Sequence, residues 1–285
     1  MQVADSALEH LVRLFPVRAG SFIVTLYGDV VAPRGGQLWI GNIIDTCALI
    51  DVSESRVRTA VSRLVASNQI VSEREGRKSY YRLTSEAAQT YSEAARLIYR
   101  NPVPPPLRGW RLVVLPQGPG RDELHLQLSR QRFGFPRPHL AMVPDRGQFV
   151  PEIGAPQFLA ATEDDLSALA ANAWPLAEIN ERARKFVQGF EPLRKLNCRP
   201  DEALTLRLML VHIFRAIVLR DPDLPKELLP SDWYGGQARS LFAELYLRLS
   251  PPAELAIQEH FVDANGPLTA DLSRLARRIT DLSGV

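Results

Sequence analysis

The chain has 285 residues, of which 46% are hydrophobic and 23% charged, and its formal net charge is +2. That supplies the core of about two domains, or three small ones, and excludes wholesale disorder. No run reaches the roughly 18 apolar residues of a membrane span, MQVADSALEHLVRLF lacks the pattern of a secretory signal, and two cysteines (Cys47 and Cys198) are too few for a disulfide scaffold or a zinc cluster. A reduced, cytoplasmic protein with no membrane contact is expected.

Taken in chain order, SFIVTLYGDVV and LWIGNIIDTCALI are apolar segments of helical length. Ser53 stands where it can cap a helix beginning at Glu54. In that helix Val57, Ala60, Val61, Leu64 and Val65 follow the i, i+3, i+4, i+7, i+8 rule and make one apolar face. At 100° per residue the other face carries Ser55, Arg56, Thr59, Ser62 and Arg63, with Arg58 at its margin. IVSERE and GRKSYYRLT then read as two short strands around a Glu-Gly-Arg-Lys turn. Thr84 or Ser85 can cap an alanine-rich helix that follows.

NPVPPPLRG (101–109) holds four prolines in nine residues and reads as a semi-rigid linker. Beyond it, RGWRLVVL and PHLAMV read as strands flanking the helix RDELHLQLSRQRFGF, and 134–157 as loop-rich. The remainder reads as helical, with ALTLRLMLVHIFRAIVLR as its buried central helix. The expected class is therefore α+β and multidomain. Residues 1–100 form one domain, 101–109 a linker, 110–175 a small α+β domain and 176–285 a helical domain.

Charge is distributed unevenly. Residues 54–82 hold seven basic residues against three acids, residues 182–199 six against one, and residues 201–285 nine against twelve. Two local basic patches point to two anionic partners, or else to two solvated faces. The first patch has the order helix, helix, charged helix, basic hairpin, which is that of a winged helix-turn-helix. Double-stranded DNA is the expected partner. Ser55, Arg56, Arg58, Thr59, Ser62 and Arg63 would enter the groove, since Arg bonds guanine acceptors or phosphates and Ser and Thr bond either. Arg77, Lys78, Arg82 and one of Tyr80 or Tyr81 would serve the wing. An ordinary amphipathic helix with a charged solvent face is the plainer alternative. An adaptor that uses the same fold without DNA is another.

LYGDVVAPRGGQLWIGNIID, SESRVRTAVSRLVASNQIVSEREGRKSYYRLT and HIFRAIVLRDPDLPKELLPSDWYGG resemble the phenylacetic-acid-degradation repressor family, the PaaX-like regulators. The resemblance spans the chain. It implies a winged-helix DNA-binding domain, a ferredoxin-like middle domain and an all-α C-terminal domain for effector binding and dimerisation. It also implies a homodimeric repressor released by an aryl-acyl-coenzyme A, typically phenylacetyl-CoA; another carboxylic acid or CoA thioester is the alternative effector. The middle domain departs from the family pattern, because WRLVVLPQG has Pro116 and Gln117 where members more often carry an aspartate and a proline.

The resemblance gives the second basic patch a meaning. Coenzyme A phosphates need several cations, and Arg182, Arg184, Lys185, Arg194 and Lys195 supply them. His212 and Arg215 match the family's H-x-x-R and, with Arg220, lie on one side of the long helix. Trp233 can stack on an aryl or adenine ring. Structural duty is the alternative for each: a solvated face for the patch, bonds from His212 and Arg215 to Asp221, Asp232 or loop carbonyls, and a loop anchor for Trp233. No HExxH, CxxC, P-loop or Gly-x-Ser-x-Gly motif is present. A cofactor-free, metal-free regulator is expected, not an enzyme.

Overall fold

The computed structural model describes residues 2–101, 103, 105–147, 154–161, 166–170, 172–269 and 271–284. Helix α1 (Gln2–Leu14) precedes α2 (Ala19–Leu26), which continues through a turn of π-helix (Tyr27–Val31) and a 3-10 turn (Ala32–Arg34). Gly35 and Gly36, at φ 83° and 79°, then turn the chain into β1 (Gln37–Trp39). Helices α3 (Ile40–Ala48) and α4 (Glu54–Ala66) follow, then β2 (Ile70–Glu75), β3 (Lys78–Leu83) and α5 (Ser85–Ile98). The three strands form an antiparallel sheet in the order β1-β3-β2.

Two features of this region differ from the periodicity. LWIGNIIDTCALI is not one helix: its first two residues belong to β1, where Leu38 pairs with Tyr81 and is fully buried. That partner lies far along the chain, so no local pattern announces the strand. In α4, Val57, Ala60, Val61 and Leu64 are buried as expected, but Val65, at the edge of the stripe, is 38% exposed. Ser53 does occupy the N-cap of α4, yet its hydroxyl makes no capping bond. Thr84 caps α5, its Oγ1 accepting from the Ala87 amide at 3.1 Å.

The chain continues with β4 (Gly109–Val114), α6 (Arg121–Arg130), β5 (Gly134–Arg137), β6 (Leu140–Asp145), β7 (Gln157–Ala160), α7 (Ser167–Ala170) and α8 (Leu176–Phe190). Helix α6 ends earlier than the sequence pattern extends, because Arg132 adopts φ 68° and Gly134 opens a strand. The stretch 134–157 holds strand residues despite its prolines. Pro136 sits in β5, at the edge of the sheet order β5-β6-β4-β7, where a missing N–H is tolerated. Next come α9 (Pro200–Val218), α10 (Gly235–His260), the short antiparallel hairpin of β8 (Val262–Asp263) and β9 (Gly266–Pro267), and α11 (Leu272–Ser283). The last third is therefore not purely helical.

The chain groups into two compact units. One comprises Met1–Pro102, Lys185–Ala216 and Gln237–Val285; the other comprises Val103–Arg184 and Ile217–Gly236. In the second unit the sheet buries Val113, Leu128, Phe133 and Val143 on one cluster, and Trp110, Met142, Trp174 and Leu224 on another. In the first unit α9 runs through the core beside stacked rings, with the Phe214 and Phe242 centroids 4.0 Å apart. Among the described residues no helix is long and apolar enough to cross a membrane.

Candidate functional site

The outward side of α4 exposes Ser55, Arg56, Arg58, Thr59, Ser62 and Arg63. Burying the apolar stripe of this helix against the unit's core is what turns these side chains to solvent. Arg58 is tied to Glu54 one turn earlier at 2.7 Å, whereas Arg56 and Arg63 form no ion pair among the described residues. Thr59 Oγ1 donates to the Ser55 carbonyl at 2.9 Å. Between α4 and the sheet lies a shallow groove lined by Ile40, Arg58, Ser62, Val65, Ser72 and Tyr81.

The β2–β3 turn puts Arg74, Arg77 and Lys78 in solvent, with Gly76 at φ 58° making the turn possible. Lys78 Nζ lies 5.2 Å from the centre of the Trp39 ring, so a cation–π contact steadies it. Tyr80 is the inward member of its pair, 5% exposed, and cannot reach a phosphate as the sequence allowed; strand alternation leaves Tyr81 half-exposed instead. Arg82 is also committed. Its Nε and Nη2 donate to Glu73 on β2 at 2.8 and 3.1 Å. Those hydrogen bonds hold the Glu73 carboxyl below its ordinary pKa.

Beneath this surface is a buried ionic cluster that the sequence did not disclose. Asp29, in the π-turn, is fully buried, and its Oδ2 lies 3.0 Å from Arg207 Nε of α9. The hydroxyls of Tyr99 and Tyr246 donate to its Oδ1 at 2.8 and 2.9 Å. Arg278 of α11 donates to the carbonyls of Gly28 and Asp29 at 2.8 and 2.9 Å. Arg207 also pairs with Glu254 of α10 at 2.9 Å, and Glu254 in turn pairs with Arg34. Burial alone would raise the Asp29 pKa; the Arg207 and Arg278 charges and the two tyrosine hydroxyls outweigh it and keep the carboxyl ionised. A legible clue existed: Arg207 interrupts LTLRLMLV in a helix expected to be buried, and a buried cation demands a partner.

The proposed effector residues are divided between the two units. Arg182, Arg184, Arg220 and Trp233 belong to one unit, and Lys185, Arg194, Lys195, His212 and Arg215 to the other. The basic patch is largely offset, mostly by acids outside its own window: Arg182 pairs with Glu178, Arg184 with Glu181, and Arg194 with Glu244 as well as with Glu191 inside the window; Arg220 also pairs with Glu178. His212 and Arg215 bond neither Asp221 nor Asp232. His212 Nδ1 is hydrogen-bonded to Thr25 Oγ1 at 2.9 Å, and Arg215 Nη2 donates to the carbonyl and hydroxyl of Ser21 at 2.9 and 2.7 Å. The two side chains, spaced i, i+3 on α9, meet two hydroxyls spaced i, i+4 on α2. Burial, with help from Arg215, pushes the His212 pKa down to about 3, so the ring is neutral. Trp233 is half-buried against the Trp110 and Trp174 cluster.

A model of the PaaX-like protein family matches residues 18–87, and one of the PaaX-like protein C-terminal domain matches residues 174–259. The transcriptional repressor PaaX of Escherichia coli (strain K12) is 32% identical, over 99% of this chain and 96% of that protein. The uncharacterized protein Rv0674 from Mycobacterium tuberculosis superposes with a TM-score of 0.50 at 21% identity, over 82% of this chain and 95% of that one; at that identity the likeness speaks to fold. These relationships define a transcription regulator and not an enzyme. The chain belongs to the PaaX-like family.

Proposed function

We propose that the chain is a sequence-specific repressor that binds double-stranded DNA as a homodimer. The observation that carries this reading is the pair Arg56 and Arg63, exposed on α4 and without ion pairs among the described residues, together with the basic tip at Arg77 and Lys78. The strand order β1-β3-β2, with α3 and α4 between β1 and β2, supports a winged helix-turn-helix. In this reading α4 enters the major groove and β2–β3 is the wing. The order β5-β6-β4-β7, antiparallel throughout, supports a ferredoxin-like middle domain.

Release of DNA by an aryl-acyl-coenzyme A such as phenylacetyl-CoA completes the proposal, and family membership is its support. A ligand shifts the DNA-bound population only by as much as its affinity differs between the bound and released states. The test is a gel shift on DNA upstream of the protein's own gene, in a salt series, with phenylacetyl-CoA and with free phenylacetate. Binding should weaken steeply with salt, because each neutralised phosphate contributes about 0.9 to the log–log slope. The thioester alone should abolish it. If Arg63→Ala and Lys78→Ala both leave affinity and slope unchanged, the DNA-binding reading is wrong. If both compounds are ignored, the effector is wrong and the DNA reading stands.

A further inference from the structure

One buried side chain connects the C-terminal hairpin to all three strands of the sheet that carries the basic turn. Gln37 lies in β1 with its Cα opposite Arg82 of β3, and is 3% exposed. Its Oε1 accepts the Ala264 amide, at the turn between β8 and β9, at 2.9 Å. Its Nε2 donates to the Glu73 carboxylate on β2. Glu73 in turn receives the two Arg82 donors described above. Asn42, at the start of α3, fixes the same C-terminal segment: its Nδ2 donates to the His260 carbonyl at 2.8 Å and its Oδ1 accepts the Val262 amide at 3.0 Å. Both anchors are carboxamides, the group that offers an acceptor and donors on one planar end. At position 37 a carboxylate would face Glu73 with like charge, and an apolar group would leave the Ala264 N–H and Glu73 without this partner.

We propose that Gln37 is a positioning residue for the β2–β3 hairpin, and that the β8–β9 hairpin, acting through it, sets how that hairpin meets DNA. The inference rests on reading β2–β3 as a DNA-contacting wing. It assigns the C-terminal hairpin a role in DNA recognition that none of its own side chains needs to contact DNA to fulfil. Holding the wing base at β1, β2 and β3 together fixes where Arg77 and Lys78 sit relative to α4, and a misplaced charge loses its phosphate while α4 keeps its own contacts.

Fluorescence anisotropy with labelled upstream DNA tests this on the full chain. The variants are Gln37→Glu, Lys78→Ala, Arg63→Ala and the two doubles that combine Gln37→Glu with each. Gln37→Glu should weaken binding about tenfold. In its background Lys78→Ala should cost little more, while Arg63→Ala should cost as much as in the wild type. An undiminished Lys78→Ala loss in the Gln37→Glu background overturns the positioning role alone. If neither Lys78→Ala nor Arg63→Ala weakens the wild-type protein, the DNA reading falls and this inference falls with it. Ala264→Pro removes the amide donor without touching the sheet, and should show the same selective loss if Gln37→Glu does not fold.

Discussion

The Arg207 guanidinium meets the Asp29 carboxylate at 3.0 Å with both side chains wholly out of solvent. One belongs to the long helix α9 and the other to the π-turn that extends α2, so the pair joins segments 178 residues apart in sequence, the difference between positions 207 and 29. Taking two charges out of water is costly, and a lone survivor costs more than the pair. Asp29→Asn keeps the size and a hydrogen-bonding end but leaves Arg207 and Arg278 without their shared anion. It should destabilise the protein by about 3–5 kcal/mol. Arg207→Met should do the same from the other side. The double variant should cost clearly less than the sum, which a urea-denaturation cycle measures directly. Strictly additive losses would show that the two groups do not stabilise one another. The sign with pH is also set. The Asp29 pKa is lowered in the folded state, so its contribution is present above the ordinary carboxylate pKa and is lost as pH falls through the folded value.

The caps at two helix starts should separate cleanly. Thr84 satisfies the Ala87 amide, so Thr84→Ala should cost about 1 kcal/mol in thermal or urea unfolding. Ser53 has the cap position and extended backbone, but its hydroxyl faces Ser55 Oγ at 3.4 Å and reaches no amide of α4. Ser53→Ala should therefore cost only a few tenths of that. Equal losses would mean that the Ser53 hydroxyl caps α4 in solution.

Two arginines of α4 that look equivalent in sequence should differ in DNA binding. Arg63 is exposed and forms no ion pair among the described residues, whereas Arg58 already holds Glu54 at 2.7 Å. A phosphate must compete with that carboxylate for Arg58, although an exposed pair of this kind is worth little. Arg63→Ala should lower the salt slope of DNA binding by about one. Arg58→Ala should lower it by less, and Glu54→Gln should strengthen binding by freeing Arg58. Anisotropy titrations at four salt concentrations decide it. A larger slope change for Arg58→Ala than for Arg63→Ala would contradict the structure.

What the sequence disclosed and what it hid divide along a physical line. The apolar stripe of α4, the basic turn and the cap at Thr84 are local: each follows from residues within a few positions of one another. β1 was hidden because its partner β3 is some 40 residues away, and a strand of three residues has no period to detect. β5 and β7 were hidden by prolines and glycines that usually mark loops. The net charge of 182–199 was read within its window, but Glu178 and Glu244, which offset it, stand outside. Asp29 and Gln37 were hidden for a further reason. Each is an ordinary residue in sequence, and only the return of the chain with α9, α10, the β8–β9 turn and α11 gives it partners.

His212 offers a pH test of the α2–α9 seam. Its folded pKa is pushed down to about 3, chiefly by burial, while the unfolded imidazole keeps its ordinary value near 6.5. Below that value the unfolded chain takes up a proton that the folded chain refuses. Since the unfolded state binds more protons, stability must fall as pH drops from about 6.5 toward 3, with a limiting slope of about 1.4 kcal/mol per pH unit. His212→Gln removes the titration while keeping a polar end for Thr25. It should cost about 1–2 kcal/mol at pH 7 through the altered packing and hydrogen bond. Its stability curve between pH 6.5 and 4 should nevertheless be shallower than that of the wild type by up to one proton. Urea unfolding at five pH values measures both slopes, and every other titrating group is common to the two proteins. Parallel curves would mean that the folded protein protonates His212 as readily as the unfolded chain does, and that the Thr25 and Arg215 contacts do not hold the ring neutral.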